Sequence, residues 1–326
     1  MKHFLSCDWG TSSFRLRLVK AADYKIIAEV VADEGIAATF ADWQQKTCSS
    51  EQQRLVFYLD VINKYIKQIE QKTNYSLSGV QIIVSGMASS SIGFTDIPYS
   101  RLPVSLEGLN IHKVLIVPAK KDFDHKVLVI SGIKTDDDVM RGEETQLMGC
   151  VDNATGKIND ELFIFPGTHS KHIRVVDNQI VGFNTYMTGE LFDLLSKKSI
   201  LRTNVEGSDK LEKPECWCSF KKGVNDALDS NLLNAIFKVR TNNLFNKLSK
   251  KENFSYLSGL LIATELKGLV GVNVGKINLL CGSNLQDYYL CALEELGLMP
   301  LTQTFDADWV DEAVVRGHYK IYKQAL

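Results

Sequence analysis

The sequence predicts an α/β protein of two lobes, each a mixed sheet with flanking helices. Three observations point there. The chain has 326 residues, more than one ordinary core accommodates and enough for two. A run of three short β-like stretches opens the chain, and another opens at Leu162; helices, a strand and a helix follow each, as in a sheet with helices packed on it. Each run also carries a Gly-Thr turn after its first strand, at Gly10-Thr11 and Gly167-Thr168.

Residues 4–8, 14–20 and 25–31 read as strands. In the second, Phe14, Leu16 and Leu18 alternate with Ser13, Arg15 and Arg17, which puts the aliphatic set on one face and the arginines on the other. Over 51–70, Leu55, Leu59, Ile62, Ile66 and Ile69 keep helical spacing, with Ser49 and Gln52 placed as a capping box. Short β-branched runs follow at 80–84, 114–117 and 127–130. The lobe boundary is expected near Met140, giving lobes 1–140 and 141–307.

The second run comprises strands at 162–165, 172–176 and 180–184, with Val176-Asp177-Asn178-Gln179 as the last turn. Residues 197–251, rich in Lys, Asn and Ser with weak periodicity, read as a surface insertion with helical pieces. A strand at 277–280 leads to a helix bearing Leu285, Tyr288, Tyr289, Leu293 and Leu296 and ending at Gly297. A last helix over 308–326 carries Trp309, Ala313 and Tyr319, and is expected to pack back on the first lobe.

Composition excludes several classes of partner. Apolar residues make up 45% and charged residues 23%, as in ordinary folded proteins. The formal net charge is -2 with no single-sign block, so neither nucleic acid nor an anionic membrane is expected to bind. The start, Met1-Lys2-His3-Phe4-Leu5, lacks the pattern of a secretory signal, and no apolar run reaches bilayer length, so a cytoplasmic protein is expected. Seven scattered cysteines (Cys7, Cys48, Cys150, Cys216, Cys218, Cys281, Cys291) read as reduced thiols, and the spacing in Cys216-Trp217-Cys218 fits neither a zinc knuckle nor a redox turn.

Three segments carry chemistry. In Asp8-Trp9-Gly10-Thr11-Ser12-Ser13-Phe14-Arg15, Gly10 lets backbone approach a phosphate, and Thr11 and Ser12 offer donors. Asp8 can hold Mg²⁺, and Arg15 can add charge at a transferring phosphate. The turn at Pro166-Gly167-Thr168-His169-Ser170-Lys171 is the second of its kind, and a pair of such turns suits the β- and γ-phosphates of ATP. The third, Gly282-Ser283-Asn284, runs from strand into helix and suits backbone against a nucleotide. Each alone reads equally well as an ordinary turn or cap.

In this order the three segments resemble the sugar kinase, Hsp70 and actin superfamily, which implies two actin-like (ribonuclease H-like) lobes around an ATP cleft. The blocks Val139-Met140-Arg141-Gly142-Glu143-Glu144-Thr145-Gln146-Leu147, Pro166-Gly167-Thr168-His169 with Lys171, Met187-Thr188-Gly189-Glu190-Leu191 and Leu257-Ser258-Gly259-Leu260-Leu261-Ile262 look like the 2-dehydro-3-deoxygalactonokinase family. The resemblance implies transfer of the ATP γ-phosphate to the terminal hydroxyl of 2-dehydro-3-deoxy-D-galactonate, in galactonate breakdown. Ser85 to Phe94 departs from the family pattern, with Ser89 in place of Gly and Phe94 in place of Trp. Pro166 stands where many superfamily members carry an acid, which leaves Mg²⁺ to Asp8.

A base is needed at the attacking hydroxyl. Glu143 and Glu144 are the candidates, and the likeness of Gly142-Glu143 to a Gly-Asp segment in related kinases favours Glu143; without it they read as a solvated helix start. Glu190 is a second acid of the same kind. For the substrate carboxylate, Arg141, Arg101, His169 and Lys171 are available, the last two on one face after the turn. His3, His112, His125 and His318 read as surface or structural residues. A kinase for another small sugar acid or polyol, and an actin- or chaperone-like interaction protein, remain as alternatives; self-association as a homo-oligomer stays open.

Overall fold

The computed structural model describes residues 1–46, 50–151, 158–207, 214–272 and 274–325. The chain is α/β and divides into two compact units. Unit 1 comprises Met1–Ile158, Val176–Gly182 and Asp308–Leu326; unit 2 comprises Asn159–Val175 and Phe183–Ala307.

Unit 1 opens with the meander β1 (His3–Trp9), β2 (Phe14–Lys20) and β3 (Ile26–Ala32), followed by α1 (Ile36–Gln45) and α2 (Glu51–Thr73). Then come β4 (Ile82–Gly86), β5 (Ser100–Arg101), β6 (Val104–Ser105), β7 (Lys113–Ile116), β8 (Val127–Ile130), β9 (Ile133–Lys134), β10 (Val139–Met140) and α3 (Glu143–Cys150). The main sheet has the order β3-β2-β1-β4-β8-β7, with β1, β4 and β8 parallel. Strands β10, β9 and β5 form a small second sheet. The spacing in α2 acts as expected: Leu59, Ile62, Ile66 and Ile69 are buried with Leu5, Leu16 and Val84. Its capping box is formed by Ser50 and Gln53, one residue later than the expected pair, and such a cap contributes about 1 kcal/mol. Ser49 lies outside the described residues.

Unit 2 begins with β11 (Asp160–Phe165), β12 (Ser170–Val176) and β13 (Gln179–Tyr186). The tip of the last hairpin, Val176–Gly182, groups with unit 1, where Gln179 and Ile180 pair antiparallel with Ser105 and Val104. Next come α4 (Thr188–Lys197), α5 (Pro214–Asp229), α6 (Leu232–Leu244), α7 (Lys250–Leu266), β14 (Lys276–Leu279), α8 (Ser283–Glu295) and β15 (Thr302–Thr304). The order β13-β12-β11-β14-β15, with β11, β14 and β15 parallel, repeats β3-β2-β1-β4-β8 of unit 1. Both sheets therefore have the actin-like, ribonuclease H-like order, without a sequence repeat to announce it.

The described part of residues 197–251 is helical in pieces, as expected, but is not a surface insertion. Phe220, Val224 and Ala227 of α5 and Ala235 and Val239 of α6 are buried with Tyr256, Leu257 and Leu260 of α7. Helices α5 and α7 meet backbone to backbone: a methyl group on Gly223 would lie 2.2 Å from the Tyr256 carbonyl oxygen, and one on Gly259 2.1 Å from that of Phe220. A contact made through glycines adds nothing to apolar periodicity, and the Lys and Asn residues of the outer faces dilute what remains.

The final helix, α9 (Ala307–Lys323), belongs to unit 1 from Asp308 onward. It covers the arginine face of β2: Arg17, 4% exposed, donates to Glu29 Oε1 at 2.7 Å, to the Asp311 carbonyl oxygen at 2.7 Å and to Asp311 Oδ2 at 2.6 Å. Helix α3 is tied to α9 as well, since Trp309 donates to the Cys150 carbonyl and Arg316 to that of Gly149. These bonds keep α3 in unit 1 and put the division at 158/159 rather than the expected 140/141. His318 pairs with Ser6 Oγ at 2.8 Å, and burial pushes its imidazole down to about 3. Cys7, Cys150, Cys216, Cys218, Cys281 and Cys291 are free thiols, while Cys48 lies outside the described residues. Among the described residues no helix is long and apolar enough to cross a membrane.

Candidate active-site clusters

In both units the Gly-Thr turn has a carbonyl engaged by the start of a following helix. In unit 1 the Gly10 amide donates to the Ser13 carbonyl at 2.9 Å, and the Gly10 and Thr11 carbonyls accept from Ile36 and Ala37 at the start of α1. Gly35 caps that helix so closely that a methyl group there would lie 2.3 Å from the Thr11 oxygen. In unit 2 the Thr168 carbonyl accepts from the Glu190 amide at the start of α4, and a methyl on Gly189 would lie 2.6 Å from the Gly167 oxygen. Each turn thus has carbonyls engaged by a following helix. The side chains of Thr11, Ser12 and Thr168 stay exposed, as phosphate contacts require.

Unit 1 gathers its acids where strands end. Asp8, near the end of β1, stands opposite Ser85 of the parallel β4 and Arg15 of β2. A methyl on Gly86 would lie 2.6 Å from the Trp9 carbonyl oxygen and 3.5 Å from Asp8 Oδ1, and one on Gly142 3.9 Å from Gly86 Cα. Both glycines hold positive φ, 84° and 109°, and bring the start of α3 against the end of β4. Burial raises the Asp8 carboxyl above its ordinary value, Arg15 and Arg17 oppose the shift, and Glu143 and Asp311 reinforce it.

The structure separates the two glutamates. Glu144 is buried, takes the Gly142 amide on both oxygens at 3.0 and 2.8 Å, and accepts from the Thr145 hydroxyl at 3.0 Å. Its hydrogen bonds are spent on the helix start. Glu143 is partly exposed and lies within electrostatic reach of Asp8. Burial, then the Glu143 charge, pushes Glu144 up to about 7. A carboxyl raised on folding binds protons more tightly in the native state. Its contribution is fully present below the unfolded value and is lost as pH rises through about 7. The window corresponds to about 3 kcal/mol. Glu144→Gln is therefore expected to flatten the fall in stability between about pH 5 and about pH 8, read by urea unfolding at both.

Arg141 lies over the Tyr99 ring at 4.0 Å and donates through one terminal nitrogen to the Ser89 carbonyl and, at 2.5 Å, to Ser89 Oγ. Its Nε and the buried Ser85 Oγ have no hydrogen-bond partner among the described residues. Ser89 thus anchors the arginine. Arg101 is 75% exposed on the side chain and pairs with Asp136. Arg15 is held by Asp311 at 2.5 Å.

Unit 2 has a half-open cavity of about 750 Å³, within the range of small-molecule sites. Gly167, Thr168, Thr188, Gly189 and Glu190 supply its polar end, while Phe192, Phe254, Leu261, Ile262, Leu285 and Tyr288 supply apolar wall. Asn284 lines it too; Gly282 caps α8 and Ser283 begins it, and neither is part of the lining. His169 pairs with Glu190 at 2.5 Å. Lys171 does not follow its expected face into the cavity: it is 4% exposed and its Nζ turns back to the His169 carbonyl at 3.0 Å. The aromatic walls were missed in the sequence, where Phe192, Phe254 and Tyr288 look like ordinary core positions.

The donors for Mg²⁺ are few. Among the described residues no three His, Cys, Asp or Glu side chains group to hold a metal. One carboxylate with the oxygens of a bound phosphate is a normal ligand set for that ion, and Asp8 at the rim of its strand fits it.

A sequence profile described as 2-keto-3-deoxy-galactonokinase matches residues 8–321. A Rhizobium meliloti (strain 1021) protein named as a probable 2-dehydro-3-deoxygalactonokinase is 30% identical over 327 residues, 97% of this chain and 95% of its own length. The Escherichia coli (strain K12) 2-dehydro-3-deoxygalactonokinase is 27% identical over 70% of this chain and 75% of its own. A crystal structure assigned as a 2-dehydro-3-deoxygalactonokinase from Sinorhizobium meliloti superposes with a TM-score of 0.77 at 28% identity, covering 97% of both chains.

Proposed function

The chain belongs to the 2-keto-3-deoxy-galactonokinase family, and from that premise we infer that it transfers the γ-phosphate of ATP to the terminal hydroxyl of 2-dehydro-3-deoxy-D-galactonate, giving the 6-phosphate. It is a carbohydrate kinase. The observation that carries the reading is the match across residues 8–321, which spans both the acid cluster of unit 1 and the cavity of unit 2. The interaction-protein and polyol-kinase alternatives draw no support from it. A metabolic kinase also suits the cytoplasmic location expected from the sequence.

Phosphoryl transfer asks the protein for position and charge rather than covalent chemistry. In our reading the cavity of unit 2 takes the nucleoside on its aromatic walls, and Gly167, Thr168 and Asn284 meet its polar parts. The exposed donors of Thr11 and Ser12 serve the transferring end. Asp8 is the residue to hold Mg²⁺, which when bound offsets phosphate charge. Glu143 takes the proton of the attacking hydroxyl, and the half-buried Arg141 gives the sugar acid's carboxylate a charged donor.

The test is a substrate panel. Purified protein with ATP and Mg²⁺ is offered the 2-dehydro-3-deoxy acids of galactonate and gluconate, the parent aldonates and glycerol, and coupled ADP release is followed. Turnover of the galactonate-derived acid is expected to exceed that of every other acceptor by about 10-fold or more in kcat/KM. Equal turnover of the gluconate isomer would overturn the substrate, and no turnover of any acid would overturn the activity.

A further inference from the structure

Behind the cavity of unit 2 lies a buried carboxyl that the proposed chemistry does not use. Glu265, near the end of α7, is 3% exposed. Its Oε2 accepts from the Thr188 hydroxyl and, at 2.9 Å, from the Tyr289 hydroxyl, and its Oε1 lies 3.0 Å from His172 Nε2. The chain of bonds continues forward. The Tyr289 proton is committed to Glu265, so in the 3.1 Å contact between Tyr289 and Ser170 the Ser170 hydroxyl donates. That leaves Ser170 Oγ to accept the Gly167 amide at 3.3 Å. His172 packs against the Tyr186 ring at 4.5 Å, and its Nδ1 has no hydrogen-bond partner among the described residues.

One carboxyl therefore reaches three parts of the cavity: Thr188 at the start of α4, Tyr289 on α8 and, through Ser170, the Gly167 turn. If stability were the only purpose, an apolar set of similar volume at all of these positions would serve as well, since a buried polar cluster gains little against its desolvation. Each hydroxyl that the carboxyl holds belongs instead to a residue lining the cavity or to the serine under its phosphate turn. One carboxylate oxygen that accepts from both Thr188 and Tyr289 fixes the rotamers of these hydroxyls together, so the wall is set before nucleotide arrives.

We propose that Glu265 is the positioning residue of the nucleotide cavity, holding Thr188, Tyr289 and the Gly167 turn in the geometry that binds ATP. The proposal rests on reading that cavity as the ATP site. Glu265→Gln keeps the shape but replaces the anionic acceptor of two hydroxyls with a weaker neutral one and sets an amide NH₂ against His172 Nε2.

The test is calorimetric titration of the full chain with a non-hydrolysable ATP analogue, without sugar acid, followed by steady-state kinetics. Glu265→Gln is expected to weaken analogue binding and raise KM for ATP by about tenfold, with KM for the sugar acid within about twofold of wild type. Tyr289→Phe, which removes the two bonds that its hydroxyl makes to Glu265 and Ser170, should weaken analogue binding by about threefold. The control is Tyr256→Phe: its hydroxyl bonds Asp226 at 2.7 Å in the same unit, and neither residue lines the cavity. It should lower the melting temperature and leave analogue binding unchanged.

Wild-type affinity in Glu265→Gln, or an equal loss in Tyr256→Phe, would overturn the proposal. If Glu265→Gln does not fold, Tyr289→Phe decides, and wild-type affinity there would be fatal. Wild type that binds the analogue but phosphorylates no sugar acid would remove the substrate assignment and leave this inference standing. Wild type that does not bind the analogue would remove both.

Discussion

Glu143→Gln is expected to lower kcat by about 10³-fold while KM for ATP and for the sugar acid stay within about threefold. The argument begins with what the two adjacent acids can do. Glu144 already accepts the Gly142 amide and the Thr145 hydroxyl, and burial holds it near neutrality as a structural group. Glu143 is partly exposed at the first position of α3, within electrostatic reach of Asp8. A base must take a proton only as the hydroxyl attacks, so its loss falls on kcat and spares ground-state binding. Gln preserves shape and hydrogen-bonding capacity, which isolates the missing proton acceptor. Glu144→Gln is the paired measurement: kcat within about fivefold of wild type is expected, because its role is to secure the helix start. If the two substitutions exchange these effects, the base is Glu144.

What the sequence revealed and what it concealed follow a physical division. Turn chemistry is local, so Gly10-Thr11 and Gly167-Thr168 could be read as a pair, and the alternation in β2 marked Phe14, Leu16 and Leu18 as core, though not that the arginine face would be covered as well. The devices that finish those turns are not local. Gly35 and Gly189 lie 24 and 21 residues beyond Thr11 and Thr168, and only the fold brings them against the turn carbonyls. The same holds for Gly223 and Gly259, which only the fold brings against the backbone of the facing helix. Lys171 shows a different limit. Period-two spacing gives the face of a strand but not the rotamer of a long side chain, and this one folds back on its own turn. Glu265 had no signal at all: an acid near the end of a polar-starting helix reads as a surface residue until Thr188, Tyr289 and His172 converge on it.

Asp8→Asn is expected to lower kcat by about 10²-fold and to raise the Mg²⁺ concentration needed for half-maximal rate, yet to raise the melting temperature. The opposed signs come from one cause. Burial raises the Asp8 carboxyl in spite of Arg15 and Arg17, so the folded protein carries this charge at a cost near neutral pH. A carboxyl raised on folding withdraws stability as pH climbs through its unfolded and then its folded value, and Asn has no charge to withdraw. The site keeps the acid because a hard anionic oxygen at the end of β1 can share a cation with a phosphate, which an amide oxygen does poorly. Rates across a Mg²⁺ titration and melting curves without nucleotide separate the two effects. An Asn variant that is slower but less stable than wild type would mean that Asp8 supports the fold rather than strains it. One as fast as wild type at every Mg²⁺ concentration would remove Asp8 from the reaction.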